Sequence, residues 1–475
     1  MNFNFAKVIL EKNKHKQQIV YEDNYTSITF DQLYLRVKKT AHYLSDRGLK
    51  TNDRVVLLLT DSIDSIVIYF AVIYAGGIAV VCNPRARQQT IDYQIQNIDP
   101  ALVIAEKDYN NGLLSSQIVE NYNNYTDEFE AVHKKHDDVL SMFWTSGTSN
   151  YAPRAVMYSH GRMAETVKGV ADGFRFGSAD RIYCTSKTSF LYSFVVSIHN
   201  VLWNGGQAFI DDGLSVPSRV QKNIESFKPT MVFSVPAIYA GLLSVGYANP
   251  RVVQYWSAGD FLSQKLIDQF SNITKQGIHN NYGCHELSGM VIINHGYTPS
   301  VGQTVLPGYK IRIVDEDGGI APNGSIGIMQ VDSDVKGVGY WNSDSDSSIF
   351  NPGWVNTGDM AYRTDSGEIY LVCRVGDVIK IRGQLMNPNE LEEIIQKHDC
   401  VDQVTVVAVP TEMGITQLEA FVILAAGENI SPTELKTWIK SRCEHYLCPS
   451  IIHIVDDFPR NENGKIQRFK LRETI

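Results

Sequence analysis

The sequence predicts an α/β protein: helix-covered parallel sheet over most of the chain, a small β-barrel or sheet appended to it, and a smaller α+β domain at the C-terminal end. Three observations lead there. From Arg54 to Val235, strand-like apolar runs alternate with amphipathic stretches of helical period, the rhythm of strand–helix–strand units that set parallel strands side by side. Beyond Gly302 the texture changes to short strands separated by polar turns, which suits a small barrel or sheet. After residue 376 helices and strands alternate again over roughly 100 residues, a common domain length. The expected domains are therefore 1–375 and 376–475.

Tyr25 to Phe30 reads as a short strand, and Asp31 suits the N-cap of an amphipathic helix from Gln32 to Arg47, which Gly48 ends. Arg54 to Leu59 is a buried strand, followed by a helix from Ile63 to Tyr74 and a strand from Ile78 to Cys82. Strands recur at Ala101 to Ala105, Ala208 to Ile210 and Met231 to Val235. In the second texture Lys310 to Val314 and Gly327 to Val331 flank the turn Asp315-Glu316-Asp317-Gly318-Gly319, and Gly367 to Val372 and Val378 to Ile381 follow. The C-terminal rhythm runs helix Pro388 to His398, strands Gln403 to Val409 and Glu419 to Leu424, and helix Pro432 to Cys443.

A chain of 475 residues exceeds one ordinary core and calls for two or three domains. Hydrophobic residues at 44% and charged residues at 20% are ordinary for a soluble globular protein. A net charge of −9 supplies no basic field to recruit nucleic acid or anionic membrane. Cys82, Cys184, Cys284, Cys373, Cys400, Cys443 and Cys448 are scattered without a CxxC pair, the usage of reduced thiols in a cytoplasmic compartment. The N-terminal residues lack a basic region followed by an apolar core, so no secretory signal is expected, and the longest apolar runs fall short of a membrane span.

Chemistry-bearing residues gather in polar loops that follow apolar runs. Thr145-Ser146-Gly147-Thr148-Ser149-Asn150-Tyr151-Ala152-Pro153-Arg154 follows the strand-like Val139 to Trp144. Backbone N–H groups and hydroxyls of such a loop can surround a phosphate while Arg154 adds a fixed positive charge; a surface Ser/Thr turn is the alternative for this stretch alone. Ser257-Ala258-Gly259-Asp260, Asn280-Asn281-Tyr282-Gly283-Cys284-His285-Glu286, Asn356-Thr357-Gly358-Asp359, Arg374 and Asn463-Gly464-Lys465-Ile466-Gln467-Arg468 occupy comparable places. With these motifs in this order, essentially the whole chain resembles the adenylate-forming superfamily of acyl-CoA synthetases, peptide-synthetase adenylation domains and luciferases. Lys187 to Ser193 and Met413 to Thr416 resemble its benzoate–CoA ligase branch.

The resemblance implies a large N-terminal domain of two helix-covered sheets plus a small β-barrel, which binds ATP and an acid, followed by a small mobile α+β domain. It implies a two-step ligase using ATP and Mg²⁺. The acid first attacks the α-phosphorus to give acyl-AMP and pyrophosphate, and a pantetheine thiol then displaces AMP. That thiol belongs to CoA or, alternatively, to the phosphopantetheine arm of an acyl or peptidyl carrier protein. The tail residues Arg460, Lys465, Arg468, Lys470 and Arg472 are candidates to meet CoA phosphates or an acidic carrier helix.

By matching to the family motifs, Thr145, Ser146, Gly147, Thr148 and Ser149 form the hydroxyl-rich half of the phosphate loop. Asn150 replaces a glycine, one residue is inserted, and Arg154 stands at the family's lysine, exchanging a compact ammonium for a planar guanidinium. Ser257, Ala258, Gly259 and Asp260 match the adenine-binding segment. Asn281, Tyr282 and Gly283 lie in the next motif, with Tyr282 stacking on adenine. Glu286 would hold the Mg²⁺ of MgATP, as suits a hard carboxylate oxygen, and His285 stands at a threonine position beside it. Asp359 and Arg374 match the residues that hold the ribose hydroxyls. Lys465 matches the lysine that bridges the acid carboxylate and the α-phosphate, where a positive charge in a closed site offsets the repulsion of two anions. Gly376 occupies the hinge position, where glycine widens the accessible backbone range, and Gly383 matches a glycine of the thiol tunnel.

Phe190-Leu191-Tyr192-Ser193 stands where amino-acid-activating relatives carry Phe-Asp-x-Ser. Leu191 cannot pair with a substrate ammonium, whose unpartnered burial costs several kcal/mol. Tyr192, Val195, Gly289 and Met290 extend the lining, with Asn281 or His285 as polar contacts. The expected substrate is thus a neutral aromatic or short aliphatic acid. His285-Glu286 does not make a zinc peptidase motif, because position 289 is Gly. Cys443, His445, Cys448 and His453 have ligand types for zinc but not the spacing of a standard finger. The rival from another class is a non-catalytic relative that binds nucleotide or acyl-adenylate. Glu286, Asp359, Arg374 and Lys465 weigh against it, since a binding relic has no need of the lysine.

Overall fold

Apolar runs flanked by amphipathic helices become strands buried on both faces, as parallel strands must be. The computed structural model describes residues 3–109, 112–145, 153–248, 251–342, 348–375, 379–381, 384–386, 388–410, 416–443, 448–460 and 466–473. Ser146, Gly147, Thr148, Ser149, Asn150, Gly376, Gly383, His445 and Lys465 lie outside the described residues.

One seven-stranded sheet has the order Gly339–Tyr340, Ala155–Ser159, Val139–Trp144, Ile78–Val81, Arg54–Leu58, Leu102–Ala105, Leu113–Leu114. Its centre is parallel: Arg54–Leu58 lies between Ile78–Val81 and Leu102–Ala105, and Val139–Trp144 continues the same sense beside Ile78–Val81. The Thr145 loop joins Val139–Trp144 to Ala155–Ser159, which run antiparallel. A nine-stranded sheet has the order Thr304–Val305, Gly289–Ile293, Ile278–Cys284, Gln254–Ser257, Met231–Ser234, Arg181–Cys184, Gln207–Ile210, Ile19–Asp23, Ser27–Thr29. It too is parallel in the middle and antiparallel at both ends.

The helices show why the chain folds locally as it does. Ile63–Tyr74 is apolar on almost every side and buried to match, whereas Pro217–Phe227 buries the single stripe Val220, Ile224 and Phe227. One sequence expectation is corrected at Phe30–Asp46. The N-cap is Thr29 and not Asp31, which falls in the first turn. The Thr29 hydroxyl accepts the Gln32 N–H, and the Gln32 side chain accepts the Thr29 N–H at 3.1 Å. This reciprocal pair satisfies two donors that a lone aspartate would leave to water. Thr29→Ala is therefore expected to cost about 1 kcal/mol, read as a lowered urea midpoint with no change in catalytic constants.

The chain divides into two compact units. The first comprises Met1–Thr145, Ala152–Lys310 and Asp332–Val355, and the second includes Ile311–Val331 and Asn356–Ile475. The second unit contains the appended β-element, a four-stranded sheet in the order Tyr309–Val314, Gly327–Ser333, Val355–Arg363, Ile369–Arg374, whose first strand begins just before it. Its C-terminal part is a three-stranded sheet of Val401–Pro410, Thr416–Leu424 and Ile451–Ile454 with helices Pro388–Gln396 and Pro432–Lys440. It has its own core, including Leu391, Ile395, Val406, Leu418, Leu435 and Ile439.

Two residues of the basic tail make contacts within this part. Arg468 donates to both carboxylate oxygens of Glu392, at 2.8 and 3.0 Å, and Glu392 Oε1 also accepts the Val406 N–H at 2.8 Å. Arg460 donates to Gln403 at 2.6 Å. His453, one of the four zinc candidates, lies 2.7 Å from Glu419, and among the described residues no group of three or more His, Cys, Asp or Glu is placed to hold a metal ion. No helix among the described residues is long and apolar enough to cross a membrane.

Candidate active site

Glu286 sits in the turn between Ile278–Cys284 and Gly289–Ile293, and its backbone is fixed from outside the hairpin. The Gly337 N–H donates to the Glu286 carbonyl at 2.9 Å, and the Tyr158 hydroxyl donates to the His285 carbonyl at 2.9 Å. Its side chain is 14% exposed and faces two partners. The Tyr340 hydroxyl donates to Oε1 at 2.7 Å, and an Arg154 Nη lies 3.6 Å from the same oxygen. The guanidinium rests 4.1 Å from the centre of the Tyr340 ring, a cation–π contact that holds it in place. Burial alone would push the Glu286 carboxyl up. The Tyr340 hydrogen bond, the His285 and Arg154 charges and its own N–H outweigh that, and the net shift is downward, so the group remains an anion.

The motifs at Thr145–Arg154 and Asn280–Glu286 therefore meet on one carboxylate. Tyr340 escaped the sequence reading, although Gly339-Tyr340-Trp341 is a small aromatic signal. Its part depends on pairing with a distant strand: Gly339 and Tyr340 lie opposite Met157 and Val156, and the Arg162 side chain holds the Lys336 and Gly337 carbonyls at 3.1 and 3.2 Å.

The ends of the polar loop are closed on each other. The Thr145 N–H donates to the Arg154 carbonyl at 2.9 Å, and the Arg154 N–H donates to the Thr145 hydroxyl at 3.1 Å. At the end of Gln254–Ser257 the chain turns at Gly259, with φ +84°, leaving Asp260 exposed and Ala258 buried. The Ser257 hydroxyl is buried with no hydrogen-bond partner. Tyr282 and Asn281 are buried on the next strand.

Gly283 has a strict steric role. A Cβ there would fall 1.8 Å from the Gly289 carbonyl oxygen and 2.9 Å from the Met290 Cα, and both are backbone atoms that move only if the strands part. Gly283→Ala is expected to destabilise by more than about 3 kcal/mol, seen as a lower melting temperature together with loss of activity.

The segment expected to bind the acid begins after the strand Arg181–Cys184. Thr188 is pinned by Asp61, whose carboxylate accepts its N–H at 3.2 Å and its hydroxyl at 2.7 Å. Asp61 lies far away in sequence and was not legible as a positioning residue. Burial raises its pKa, against the opposing Lys187 charge and Thr188 hydrogen bonds. The chain then enters Leu191–Ser193 and a π-helical turn at Phe194–His199, in which the Asn200 side chain donates to the Val195 carbonyl at 2.8 Å. Such turns are frequent at functional sites. Leu191, 1% exposed, and Val195 converge on Gly289: a Cβ there would lie 3.9 Å from Leu191 Cδ2 and 3.7 Å from Val195 Cγ2. Met290 is buried next to it, and Phe190 is partly buried.

The second unit holds the remaining pair. Asp359 and Arg374 are cross-strand partners, and Arg374 Nε lies 2.9 Å from Asp359 Oδ1. The Asp359 N–H donates to the Thr357 hydroxyl at 3.1 Å, which itself donates to the Met329 carbonyl at 2.9 Å. A fixed carboxylate paired across strands with a half-exposed arginine suits recognition of neighbouring hydroxyls.

Residues 7–341 match the family model of the AMP-binding enzyme, and residues 390–465 match that of the AMP-binding enzyme C-terminal domain. The chain is 26% identical over 483 residues to a 3-hydroxybenzoate–CoA ligase of Aromatoleum sp. (strain CIB), covering 94% of this chain and 92% of that one. It is 26% identical over 492 residues to a benzoate–CoA ligase of Thauera aromatica, covering 95% and 92%. In fold it is similar to the crystal structure of the anthranilate CoA ligase AuaEII in complex with anthranoyl-AMP, with a TM-score of 0.91 at 22% identity, covering 100% and 97%.

Proposed function

The chain belongs to the AMP-binding enzymes, the adenylate-forming superfamily, and from that premise we propose how its residues form an acyl-AMP and then a thioester with a pantetheine thiol. The observation that carries the residue assignment is the convergence of Arg154 and Tyr340 on Glu286. It joins the polar loop to the carboxylate of the second motif around a group kept anionic.

Glu286 fits Mg²⁺, offering a hard, ionised oxygen. When bound with ATP, that ion neutralises charge on the phosphates. Arg154 holds the phosphates that leave, with the Thr145 loop supplying hydroxyls and N–H groups; its pairing with the anionic Glu286 supports this. Ser257 to Asp260 and Tyr282 take the adenine, and Asp359 with Arg374 takes the ribose. Lys465 brings the acid carboxylate and the α-phosphate together. Once pyrophosphate has left, the 376–475 domain turns about Gly376, Gly383 lines the thiol path, and the thiol displaces AMP.

The acid is neutral apart from its carboxylate, aromatic or short and aliphatic. Leu191 beside Val195 and Gly289 supports this, because an α-ammonium buried against them would lack a partner. The names of the two relatives point the same way, and to CoA as the acceptor. The test is acid-dependent ATP–pyrophosphate exchange over benzoates, short aliphatic acids and amino acids, followed by thioester formation with CoA and, in parallel, with a pantetheinylated carrier protein. Exchange with benzoates and thioester on CoA are expected. Absence of exchange with every acid would sink the ligase reading, and amino acids as best substrates would sink the Leu191 argument.

A further inference from the structure

Tyr340 touches both charged groups of the candidate nucleotide site. Its hydroxyl donates to Glu286 Oε1 at 2.7 Å, and the Arg154 guanidinium lies 4.1 Å from the centre of its ring. Arg154 approaches the same Oε1 at 3.6 Å. Both contacts on the carboxylate thus fall on one oxygen, and neither uses Oε2. Tyr340 is itself 9% exposed and is held by residues outside the motifs. Phe350 meets its ring edge-on, with centroids 4.8 Å apart at 85°. The Val338 and Trp341 N–H groups donate to the Met157 and Ala155 carbonyls at 2.9 and 2.8 Å, and the Trp341 indole N–H donates to the Asn97 carbonyl at 3.2 Å. A residue that only filled the core would need neither a hydroxyl on a carboxylate nor a ring face beneath a guanidinium.

Arg154 stands where the family has lysine, and that exchange changes what its neighbour must supply. A guanidinium is planar and weakly hydrated and rests flat on an aromatic ring, whereas an ammonium is a strongly hydrated point charge with less use for such a seat. A long side chain stabilises charge best when its position is set beforehand. The ring sets it for Arg154. For Glu286 the hydroxyl does the corresponding work: one oxygen accepts from Tyr340 and faces Arg154, and a carboxylate has a second oxygen for a hard cation. We propose that Tyr340 is a positioning residue for MgATP, its hydroxyl orienting Glu286 toward the metal and its ring seating the guanidinium that this chain carries in place of lysine. This role rests on the ligase reading and adds to it a residue that none of the sequence motifs contains.

The experiment measures equilibrium binding of ATP to the intact protein with Mg²⁺ and with the metal chelated. Tyr340→Phe keeps the ring and removes the hydroxyl. It is expected to shrink the Mg²⁺-dependent gain in ATP affinity about tenfold, the scale of a hydrogen bond to a charged group, while affinity without Mg²⁺ changes less than about threefold. Tyr340→Leu also removes the ring and is expected to weaken MgATP about tenfold beyond Tyr340→Phe. In an Arg154→Lys background that further loss should be less than about threefold, because the ammonium depends less on the ring. ATP weakened equally with and without Mg²⁺ in Tyr340→Phe, or ring removal felt equally beside arginine and lysine, would make Tyr340 merely structural and overturn the proposal. Wild-type pyrophosphate exchange with benzoates is run in parallel. Exchange together with an unchanged Mg²⁺ effect in Tyr340→Phe would overturn this role and leave the ligase reading intact, whereas the expected binding pattern without exchange would sink the ligase reading alone.

Discussion

Lys465→Ala is expected to lower acid-dependent ATP–pyrophosphate exchange by about 10³-fold or more, the scale on which removal of a preorganised charge partner is felt. Conversion of supplied acyl-AMP to thioester should proceed at the wild-type rate. The split follows from where charge collects. In the first step a carboxylate must approach a phosphate already surrounded by negative oxygens, and an ammonium between them relieves that repulsion. In the second step the thiol attacks the acyl carbonyl and the bond to AMP breaks, with the new negative charge on the departing phosphate oxygen; the proposed turn about Gly376 carries Lys465 away before then, so the same ammonium has little to add. A purely structural lysine would slow both steps together, and equal loss of both would show that its role is misplaced.

Glu286→Gln is expected to lower the same exchange by about 10²- to 10³-fold, chiefly as a raised KM for MgATP. Glutamine keeps an oxygen to accept the Tyr340 hydroxyl but removes the charge that holds Arg154 at 3.6 Å. At neutral pH the variant should be only slightly less stable than the wild type, because the partly exposed guanidinium can be rehydrated. The pH dependence has a definite sign. The folded carboxyl titrates below its ordinary value, so its stabilising contribution is present above the unfolded value of about 4.3 and fades as pH falls through the lower folded value. An urea-unfolding series from pH 7 to 3 on wild type and variant should therefore show the two differing least at the acid end. A constant difference across that range would place the charge elsewhere.

The elements that could be read from sequence are those whose reason is local. Arg54–Leu58 and Ile78–Val81 are continuous apolar runs because both faces are covered, and Ile63–Tyr74 sits between them at helical length. The cap at Thr29 was misassigned by two positions because Thr29 and Asp31 are both good capping types, and reciprocity with Gln32 decides between them. In the site, the polar loop and the Glu286 motif were legible as compositions, but their meeting was not. Arg154 and Glu286 are far apart in the chain, and Tyr340 reaches them through strand pairing. Asp61 and Thr188, 127 residues apart, became partners only through the fold.

The closed ends of the Thr145 loop bear on how its length can drift. Thr145 and Arg154 are tied by one backbone hydrogen bond and one from the Arg154 N–H to the Thr145 hydroxyl, which brings together the two ends of the eight-residue stretch between them in sequence. Lengthening such a loop from seven residues to eight costs only about 0.1 kcal/mol of chain entropy. The inserted residue that separates this loop from the family pattern is therefore nearly free in folding terms, leaving its length to be selected by turnover alone.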